Sequence, residues 1–435
     1  MSNVTGDDAP VWAKRDAAVV WHGFTQMSCF TESTPIVVAG AEGHELIDVD
    51  GKRYIDAISS LWVNTLGHRV PELDEALREQ LDRGAHSTLL GNSNQIVVEL
   101  AEALASRVPV DDPHFLFAGD GASAVEQALK IAFQFWVNLG VSGRTKFLAF
   151  GGAYHGDTMG ALSVGDGGFG TNVFDPLRFP VLRAPHFADP ECFTTAARMV
   201  ADHAHELAAV IVEPLVQAAA GMQIAPAASF GALGDACREH DVLLICDEVA
   251  TGFGRTGTLF ASEQCGLTPD LMAIGKGMTA GYLPQSATVA SGRVFDAFLG
   301  PDLSDKTLYH GHSYSGNALA CAVALRHVEL IESRDVLANV RARSAELLAL
   351  LDARIAPLAA VREVRLHGLM GGVELAPSED NLRWGRRVCA AAVRRGVLLR
   401  PIGDVVVLMP PLTITAPELT RIVDALEASI GEVCP

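Results

Sequence analysis

The sequence predicts an α/β fold, in which a large domain with a mostly parallel sheet is joined to a small α+β domain built from both ends of the chain. In the middle of the chain, short runs that are apolar throughout alternate with amphipathic helical stretches. Strands of this kind are covered on both faces, as in parallel sheets. Towards both ends the pattern changes, and we expect the small domain to comprise 1–69 and 326–435 and the large domain 70–325.

The first predicted element is a β-hairpin close to the N-terminus. Residues 36–38, 45–49 and 53–57 are short runs rich in strand-forming side chains. Asp50-Gly51-Lys52 separates the last two runs, and an Asp-Gly pair between strand-like flanks is typical of a hairpin turn. We therefore expect antiparallel strands in the N-terminal part of the small domain.

The middle of the chain supplies the elements of the predicted parallel sheet. Its strands are short, and each is followed by Gly, Asp or Glu. Its helices carry apolar residues at helical spacing. The predicted strands are 146–150, 208–212, 242–246 and 271–274. The predicted helices are 123–136 and 225–240, followed by 318–332 and 341–355 towards the C-terminus.

Composition and charge narrow the class of protein. Hydrophobic residues make up 49% of the 435 and charged residues 20%, so the chain can bury a core and is not a disordered segment. With 33 basic and 52 acidic residues, the formal net charge of −19 argues against binding nucleic acid or an anionic membrane through bulk charge. The start of the chain is polar and acidic, and no apolar run reaches the roughly 18 residues of a membrane helix. We expect neither a signal peptide nor a membrane span.

The eight cysteines are scattered along the chain without CxxC pairs. This pattern indicates neither a disulfide framework nor a zinc site. A reducing, cytoplasmic location is therefore expected.

Two charged residues end neighbouring predicted strands. Asp247 follows the strand at 242–246, and Lys276 stands between two glycines after the strand at 271–274. Each alone has an ordinary explanation, a helix cap for the aspartate and a solvated surface position for the lysine. Their separation of 29 residues leaves room for one connection, which places both at the carboxyl edge of the sheet, where ligands bind in α/β folds. A lysine in a partly desolvated site has a lowered pKa and forms an imine with an aldehyde.

Two further motifs complete a candidate cofactor site. Gly119-Asp120-Gly121-Ala122-Ser123 leads into the helix predicted at 123–136, so N–H groups at the helix start can bind a phosphate. Tyr154 lies in a glycine-rich loop, where its ring can stack on a planar cofactor or simply leave its hydroxyl in water. Pyridoxal 5′-phosphate (PLP) requires this set: a lysine for its aldehyde, a carboxylate for its pyridine nitrogen and N–H donors for its phosphate.

At these residues the sequence resembles the class-III aminotransferases of PLP fold type I. The likeness runs from about residue 21 to residue 411, nearly the whole chain. The family often has Ser-Gly-Ser where Asp120-Gly121-Ala122 stands here, so a side-chain hydroxyl is lost and a carboxylate is added. The most specific segment is Asp247-Glu248-Val249-Ala250-Thr251-Gly252-Phe253-Gly254-Arg255-Thr256-Gly257, followed by Gly275-Lys276-Gly277. Supporting stretches are Trp21-His22-Gly23-Phe24, Tyr154-His155-Gly156-Asp157-Thr158, His310-Gly311-His312-Ser313-Tyr314 and Leu399-Arg400-Pro401.

The resemblance implies how the cofactor would be held. Lys276 would bond to the aldehyde of PLP and then carry a proton between the substrate and cofactor carbons. Asp247 would hold the pyridine nitrogen, and Tyr154 would cover the ring and line the substrate pocket. Glu213 would support the cofactor indirectly, through the residues that contact it. The phosphate would be bound by the backbone at Gly121 and Ala122.

The segment 310–313 allows two interpretations. By the resemblance, Ser313, beside His312, would reach the phosphate of a neighbouring subunit, which implies a homodimer with shared active sites. The histidines at 310 and 312 could instead bind a metal, but the sequence shows no third ligand, so we expect no metal site.

The resemblance also implies the substrate. Arg400 would bind a carboxylate, a task that suits the bidentate guanidinium. Within the class, the sequence looks most like the members that convert 8-amino-7-oxononanoate to 7,8-diaminononanoate in biotin biosynthesis. Members that use S-adenosylmethionine as amino donor carry a tyrosine at the position of Phe24 and a tryptophan at that of Leu61, so lysine is the expected donor. The pocket would be lined by Phe24, Leu61, Trp62, Tyr154 and Gly311.

Two alternatives stay open. Another ω-aminotransferase, acting on a diamine, an ω-amino acid or a small amine, would fit Arg400, Phe24 and Trp62 equally well. A remote alternative is a PLP-binding regulator that has lost catalysis. Such proteins usually carry a DNA-binding segment, and the stretch before Trp21 is too short and the charge too acidic for one. In each case the expected ligands are small molecules, with neither nucleic acid nor a membrane as partner.

Overall fold

Helices and strands alternate around three groups of buried apolar side chains. The structure, a computed structural model, describes residues 9–33, 35–168, 170–377, 379 and 382–434. Residues 1–8 and 435, which belong to the predicted small-domain segments, lie outside the described residues. No helix within the described ranges is both long and apolar enough to cross a membrane. The α-helices are Ala9–Ala17, Pro71–Arg83, Gln95–Ala105, Gly121–Asn138, Met159–Val164, Cys192–His203, Phe230–Glu239, Ala261–Gln264, Gly292–Asp296, Ala318–Ser333, Val336–Arg354, Trp384–Arg394 and Ala416–Val433.

A seven-stranded sheet forms the centre of the molecule. Six of its strands run in the same direction, and Ser286–Ala290 runs antiparallel to both of its neighbours. The mostly parallel sheet predicted from the sequence is thereby confirmed. In spatial order its strands are His114–Ala118, Ser286–Ala290, Leu271–Ile274, Leu243–Asp247, Leu207–Val212, Lys146–Phe150 and Leu182–Ala184.

Both faces of this sheet are buried, which explains why its strands are apolar throughout. Along Leu243–Asp247, Leu243 and Ile245 pack in one group with the apolar face of the helix Gly121–Asn138. Leu244 and Cys246 face the opposite group. Successive side chains of a strand point to opposite faces, so two covered faces require an unbroken apolar run.

The two ends of the chain meet in a second sheet. Val397–Leu398 pairs in parallel with Arg53–Asp56, which is the last strand of the N-terminal hairpin. The predicted α+β portion built from both termini is therefore present, while the exact boundaries at 69 and 325 stay predictions. This sheet has the order Val38–Glu42, Glu45–Asp48, Arg53–Asp56 and Val397–Leu398. A C-terminal sheet has the order Val361–His367, Met370–Leu375, Val405–Leu408 and Arg400–Ile402, and Val216–Gln217 pairs with Gln223–Ile224.

Several element boundaries differ from the predicted ones. The first strand is Val38–Glu42 rather than 36–38. The turn at Gly43 pairs Glu42 with Glu45, so the pairing begins beside the turn and extends back to Val38. The helix predicted at 225–240 begins only at Phe230. A residue before proline avoids the helical conformation, and Ala225 precedes Pro226 and donates its N–H to the Leu215 carbonyl instead.

The helix predicted at 341–355 starts earlier, at Val336, because Val336 and Val340 contribute to the core. The helix predicted at 123–136 is longer at both ends, and runs over Gly121–Asn138. Asp247 is the last residue of its strand rather than the first residue after it.

Candidate active site

Asp247 and Lys276 lie at the same edge of the central sheet. Their strands are adjacent and parallel, with Asp247 opposite Ala273, and Lys276 follows two residues after the end of its strand. Between them and the surrounding loops lies a cavity of about 530 Å³. Its walls include Trp62, Asp120, Gly121, Ala122, Tyr154, His155, Gly156, Asp157, Glu213, Ala218, Ala219, Asp247, Val249, Thr251 and Lys276.

The amine of Lys276 lies inside this cavity. Burial lowers the pKa of Lys276, while the carboxylates of Asp247 and Glu213 act in the opposite direction without reversing the shift. The Nζ atom stands 5.1 Å from the centre of the Trp62 ring. A lowered pKa increases the neutral fraction of the amine, which is the form that attacks an aldehyde. Lys276 itself has a φ of 42°, an uncommon backbone conformation for a residue other than glycine.

Asp247 is fixed by two hydrogen bonds. Its Oδ2 lies 2.7 Å from Nδ1 of His155, and its Oδ1 accepts the N–H of Val249 at 3.0 Å. Both Asp247 and His155 are buried. The carboxylate is the acceptor, so His155 carries the proton on Nδ1, and this fixes the direction of the carboxylate towards the cavity.

The helix Gly121–Asn138 starts at the cavity wall. Asp120 caps it: Oδ1 accepts the Ser123 N–H at 2.9 Å, and Oδ2 accepts the Ser123 hydroxyl at 3.0 Å. The first N–H groups of a helix have no partner within it, so those of Gly121 and Ala122 remain for a ligand. The added carboxylate of Asp120 therefore serves as a helix cap beside the proposed phosphate site.

Gly121 is required at this position by close packing. A Cβ atom there would lie 2.5 Å from Cγ1 of Val249, a residue of the loop that follows Asp247. Gly156 is required in the same way, since it has a φ of 124° and a Cβ would lie 2.4 Å from that of Ala122. These close approaches place the helix start at Gly121 in direct contact with the loop after Asp247 and with the loop at Gly156.

Glu213 and Tyr154 form another wall of the cavity. Burial, followed by the nearby charge of Asp247, raises the pKa of Glu213 well above its usual range. Its Oε2 accepts the backbone N–H of Tyr154 at 3.2 Å. The Tyr154 hydroxyl donates to Asp157 at 3.0 Å, and burial together with that carboxylate raises the pKa of Tyr154.

A second cavity, of about 480 Å³, adjoins the first. Lys276, Tyr154 and Trp62 line both cavities. Arg400 begins the strand Arg400–Ile402, which brings its guanidinium into the wall of this outer cavity. The remaining walls are largely apolar, and the residues that line only the outer cavity are Phe24, Leu61, Arg400, Pro401, Ile402 and Gly403.

Leu61 and Trp62 belong to an unusual turn. The four residues Ser59, Ser60, Leu61 and Trp62 have φ angles of 50°, 52°, 88° and 70°. Left-handed backbone costs an L-residue roughly 1–2 kcal/mol, so four in succession persist only where the surroundings hold them. The indole N–H of Trp62 is buried without a hydrogen-bond partner in the described part of the chain.

Three of the predicted positions line neither cavity, and these are Gly311, His312 and Ser313. Ser313 accepts a hydrogen bond from Nε2 of His86 through its carbonyl at 2.8 Å. Lys130 donates to Nδ1 of His310 at 2.9 Å, and burial and this ammonium lower the pKa of His310. A positive charge beside the ring disfavours a metal cation, and no group of three His, Cys, Asp or Glu side chains among the described residues could hold one.

The profile of the family described as aminotransferase class-III matches residues 28–430. The chain belongs to the class-III aminotransferases. It is therefore a PLP-dependent transaminase, and its architecture is fold type I, as expected from the sequence. The resemblance stated for Asp247 to Gly257 and for Lys276 is thereby confirmed at the level of the family.

Curated class-III relatives cover almost the whole chain. A protein from Nitratidesulfovibrio vulgaris is 46% identical over an alignment of 437 positions, which covers 95% of this chain and 80% of that protein. A protein from Geobacter sulfurreducens is 43% identical over an alignment of 443 positions, which covers 97% of each chain. Both are named adenosylmethionine-8-amino-7-oxononanoate aminotransferase.

Solved structures of transaminases superpose closely on this chain. The enzyme of the same name from Methanocaldococcus jannaschii gives a TM-score of 0.95 at 39% identity, over 98% of this chain and 100% of that one. A PLP-bound amine transaminase from an uncultivated Pseudomonas species gives a TM-score of 0.89 at 33% identity, over 95% and 99%.

The residues of the inner cavity, which is the one of about 530 Å³, fit PLP. When bound, PLP supplies an aldehyde that takes up amino groups and a ring that withdraws electrons from the neighbouring carbon. Asp247 presents a carboxylate that can keep a pyridine nitrogen protonated, and the helix start at Gly121 presents N–H donors for a phosphate. Lys276 presents an amine in the same cavity, and its Nζ can take up a proton.

Some site residues of this aminotransferase gave little or no signal in the sequence. Ala218 and Ala219 line the inner cavity, and small apolar side chains carry no mark of that role. Tyr154 donates a hydrogen bond to Asp157, three residues later in the chain. Both residues lie in the stretch 154–158 that resembles the family, but the resemblance does not indicate this contact. The pairing of His155 with Asp247, which is remote in sequence, required the structure to be found.

Proposed function

We propose that this class-III aminotransferase transfers an amino group to the keto carbon of 8-amino-7-oxononanoate and so makes 7,8-diaminononanoate for biotin biosynthesis. The observation that carries the proposal is the outer cavity, whose walls combine the amine of Lys276, the guanidinium of Arg400 and apolar side chains. A substrate with a carboxylate separated by an aliphatic chain from its reacting carbon matches those walls. The printed names of the two curated relatives support the same acceptor.

Within this proposal each site residue has a defined role. Lys276 binds the cofactor aldehyde and moves the proton, and Asp247 holds the pyridine nitrogen. Tyr154 covers the ring, and Arg400 binds the substrate carboxylate. Gly121 and Ala122 bind the phosphate, and Glu213 supports the cofactor from outside its direct contacts. Phe24, Leu61 and Trp62 bind the substrate chain. Gly311 lines neither cavity of one chain, so its proposed contact with the substrate requires a second copy.

Lysine is our proposed amino donor. Phe24 has no hydroxyl and Leu61 no indole, so the outer cavity lacks two groups that could contact a bulky sulfonium donor. The relatives are named for adenosylmethionine, which makes the choice of donor a sharp question for this chain.

A homodimer with shared active sites, in the cytoplasm, completes the proposal. Ser313 and His312 lie outside both cavities of one chain, which agrees with a role at the cofactor phosphate of a second copy. Exposed apolar side chains surround this segment, including Leu90, Tyr309 and Tyr314.

One assay tests the reaction and the donor together. Purified holoenzyme is mixed with 8-amino-7-oxononanoate and either lysine or S-adenosylmethionine, and 7,8-diaminononanoate is measured by mass spectrometry. We expect product with lysine and little with S-adenosylmethionine. The reverse result would disprove the proposed donor, and absence of product with both would disprove the proposed acceptor.

The other ω-aminotransferase function predicts a different pattern in the same assay. Turnover of diamines or small amines with pyruvate, without formation of 7,8-diaminononanoate, would support it. Replacement of Arg400 by alanine separates 8-amino-7-oxononanoate from diamines and small amines, although not from an ω-amino acid, because only a carboxylate-bearing substrate depends on that guanidinium. Lys276→Ala tests for a non-catalytic regulator: an enzyme loses the visible absorbance of the lysine-bound cofactor and its turnover together.

A further inference from the structure

The turn Ser59–Trp62 is tethered by a carboxylate outside both cavities. Asp56 ends the strand Arg53–Asp56 and is fully buried. Its Oδ1 accepts the backbone N–H of Ser60 at 2.9 Å, and its Oδ2 accepts the hydroxyl of Ser60 at 2.7 Å. The carboxylate therefore binds both the backbone and the side chain of Ser60, the second residue of the left-handed turn.

His68 and Asn64 hold the carboxylate from the other side. Nε2 of His68 lies 3.0 Å from Oδ2 of Asp56, and Nδ1 of His68 lies 3.2 Å from Nδ2 of Asn64. One tautomer satisfies both contacts, with the proton on Nε2 and Nδ1 accepting from the amide. Burial alone would raise the pKa of Asp56, but the hydrogen bonds from His68 and Ser60 outweigh it and hold the pKa below its usual range.

The turn also has backbone hydrogen bonds of its own, from the Trp62 N–H to the Ile58 carbonyl at 2.8 Å and from the Val63 N–H to the Ser59 carbonyl at 3.0 Å. None of its four residues is glycine, so each would relax to a negative φ if it were free. At the start of the turn, Ser59 donates its hydroxyl to the carbonyl of Met409 at 2.7 Å. Relaxation at Ser60 would rotate the following two side chains, Leu61 and Trp62, away from the walls that they form.

We propose that Asp56 is a positioning residue, which holds the turn in its left-handed form and thereby sets the shape of the outer cavity for the substrate chain. The carboxylate contacts neither the reacting atoms nor the cavity; it acts through Leu61 and Trp62. The part of this inference that concerns the chain of a nonanoate-type substrate rests on the proposed function. The part that concerns the turn does not.

The first test replaces Asp56 by asparagine. The amide would face the proton on Nε2 of His68 with its own N–H, so two donors oppose each other and the grip on Ser60 weakens. Hydrogen exchange of peptides covering 57–66 is followed by mass spectrometry in the holoenzyme. We expect faster exchange at Ser60, Leu61 and Trp62 in Asp56→Asn. We also expect calorimetry to show binding of nonanoate weakened by about tenfold, while the visible absorbance of the bound cofactor is unchanged.

A second variant separates positioning from a general loss of structure. Ser60→Gly keeps the backbone N–H and relieves the strain, because glycine adopts positive φ freely. In the double variant Asp56→Asn with Ser60→Gly, slow exchange and nonanoate binding should return towards wild-type values. Asp48→Asn is the matched control: Asp48 is also a buried carboxylate of this sheet, and it accepts the N–H groups of Asp50 and Lys52 in the hairpin turn away from the cavities.

The outcomes distinguish this inference from the proposed function. Wild-type exchange rates at 57–66 in Asp56→Asn would overturn the positioning role, as would equal effects of Asp56→Asn and Asp48→Asn. Failure of Ser60→Gly to restore slow exchange would overturn it as well. If the wild-type protein binds acetate as well as nonanoate, the proposed substrate chain is wrong, and the exchange data alone then decide the role of Asp56.

Discussion

The amine of Lys276 sits where a positive charge is poorly solvated. Burial lowers its pKa, and the carboxylates of Asp247 and Glu213 only partly compensate. A lysine whose charged form is disfavoured in the folded state reduces the stability of the protein at neutral pH. The same burial makes its amine more reactive, because the neutral form is the nucleophile. This arrangement gives a prediction that requires no substrate.

We expect cofactor-free Lys276→Met to be more stable than the cofactor-free wild-type protein at neutral pH. The variant keeps the chain length and removes the charge. In the wild type the unfolded lysine, with a pKa of about 10.4, binds more protons than the folded one, so stability rises with pH up to that value. The advantage of the variant should therefore be largest below the folded pKa of Lys276 and vanish above about pH 10.4.

Urea unfolding at several pH values measures this difference. Lys146→Met serves as the control, because Lys146 is partly exposed and paired with Glu206. A stability difference between Lys276→Met and the wild type that does not change with pH would contradict the prediction.

His155 is the residue for which we expect the clearest loss of stability. Removal of the imidazole in His155→Ala leaves the buried carboxylate of Asp247 without its 2.7 Å donor. An unsatisfied buried acceptor costs about 1–3 kcal/mol, and the affinity for PLP should fall as the carboxylate loses its direction. Urea unfolding and cofactor titration measure the two effects. His203→Ala, which removes a partly exposed partner of Glu206, should change stability by less than about 0.5 kcal/mol. Equal effects of both variants would refute a special role for His155.

At the scale of single residues, the sequence indicated the chemistry better than the supports around it. Asp247 and Lys276 could be predicted because each ends an apolar strand. The clamp of Asp56 on Ser60 could not, because the sign of φ in a residue other than glycine leaves no trace in composition or periodicity. Contacts such as that of His155 with Asp247 join residues remote in sequence and depend on the folded loops.

At the scale of elements, the loops around the cavity contact one another closely, and no single sequence motif indicates these contacts. The predicted strands and the helix behind them were close to the observed ones, because both follow from apolar periodicity. The starts of several helices were not, since proline, caps and core contacts decide them. The approach of Gly121 to Val249 is such a contact between two loops.

Gly121→Ala should lower the affinity for PLP by disturbing this contact. The new Cβ would stand 2.5 Å from Cγ1 of Val249, and overpacking of this kind costs about 1–3 kcal/mol. The second substitution Val249→Ala should restore most of the loss, because it removes the atom that is struck. Gly119→Ala is the matched control, since a Cβ there would meet nothing within 4 Å. Titration with PLP of the cofactor-free wild type, Gly121→Ala, the double variant and Gly119→Ala measures these affinities. A loss in Gly121→Ala that persists in the double variant would show that the contact is not its cause.

At the scale of the whole molecule, the charge of −19 contrasts with the proposed ligands, which are themselves anionic. Attraction for a phosphate and a carboxylate must come from a few local groups, namely the helix start at Gly121, Lys276 and Arg400. The outer surface instead carries apolar side chains near the segment 310–313, where Leu90 and Tyr314 are 66% and 70% exposed. A Cβ at Gly311 would lie 3.0 Å from Leu90, so this leucine packs directly over the segment that we assign to the partner's phosphate site.

Leu90→Lys should therefore weaken both the dimer and the hold on PLP, although Leu90 lines neither cavity. Burial of an unpaired ammonium between two copies costs more than about 1.4 kcal/mol, which raises the dimer dissociation constant by at least tenfold. Sedimentation over a range of concentrations measures the dimer, and dialysis followed by absorbance measures retained cofactor. Leu348→Lys is the control, because Leu348 is exposed on the helix Val336–Arg354. If Leu90→Lys remains a dimer that retains PLP like the wild type, the face around 310–313 is not where two copies meet. If it becomes a monomer that still retains PLP, the active sites are not shared.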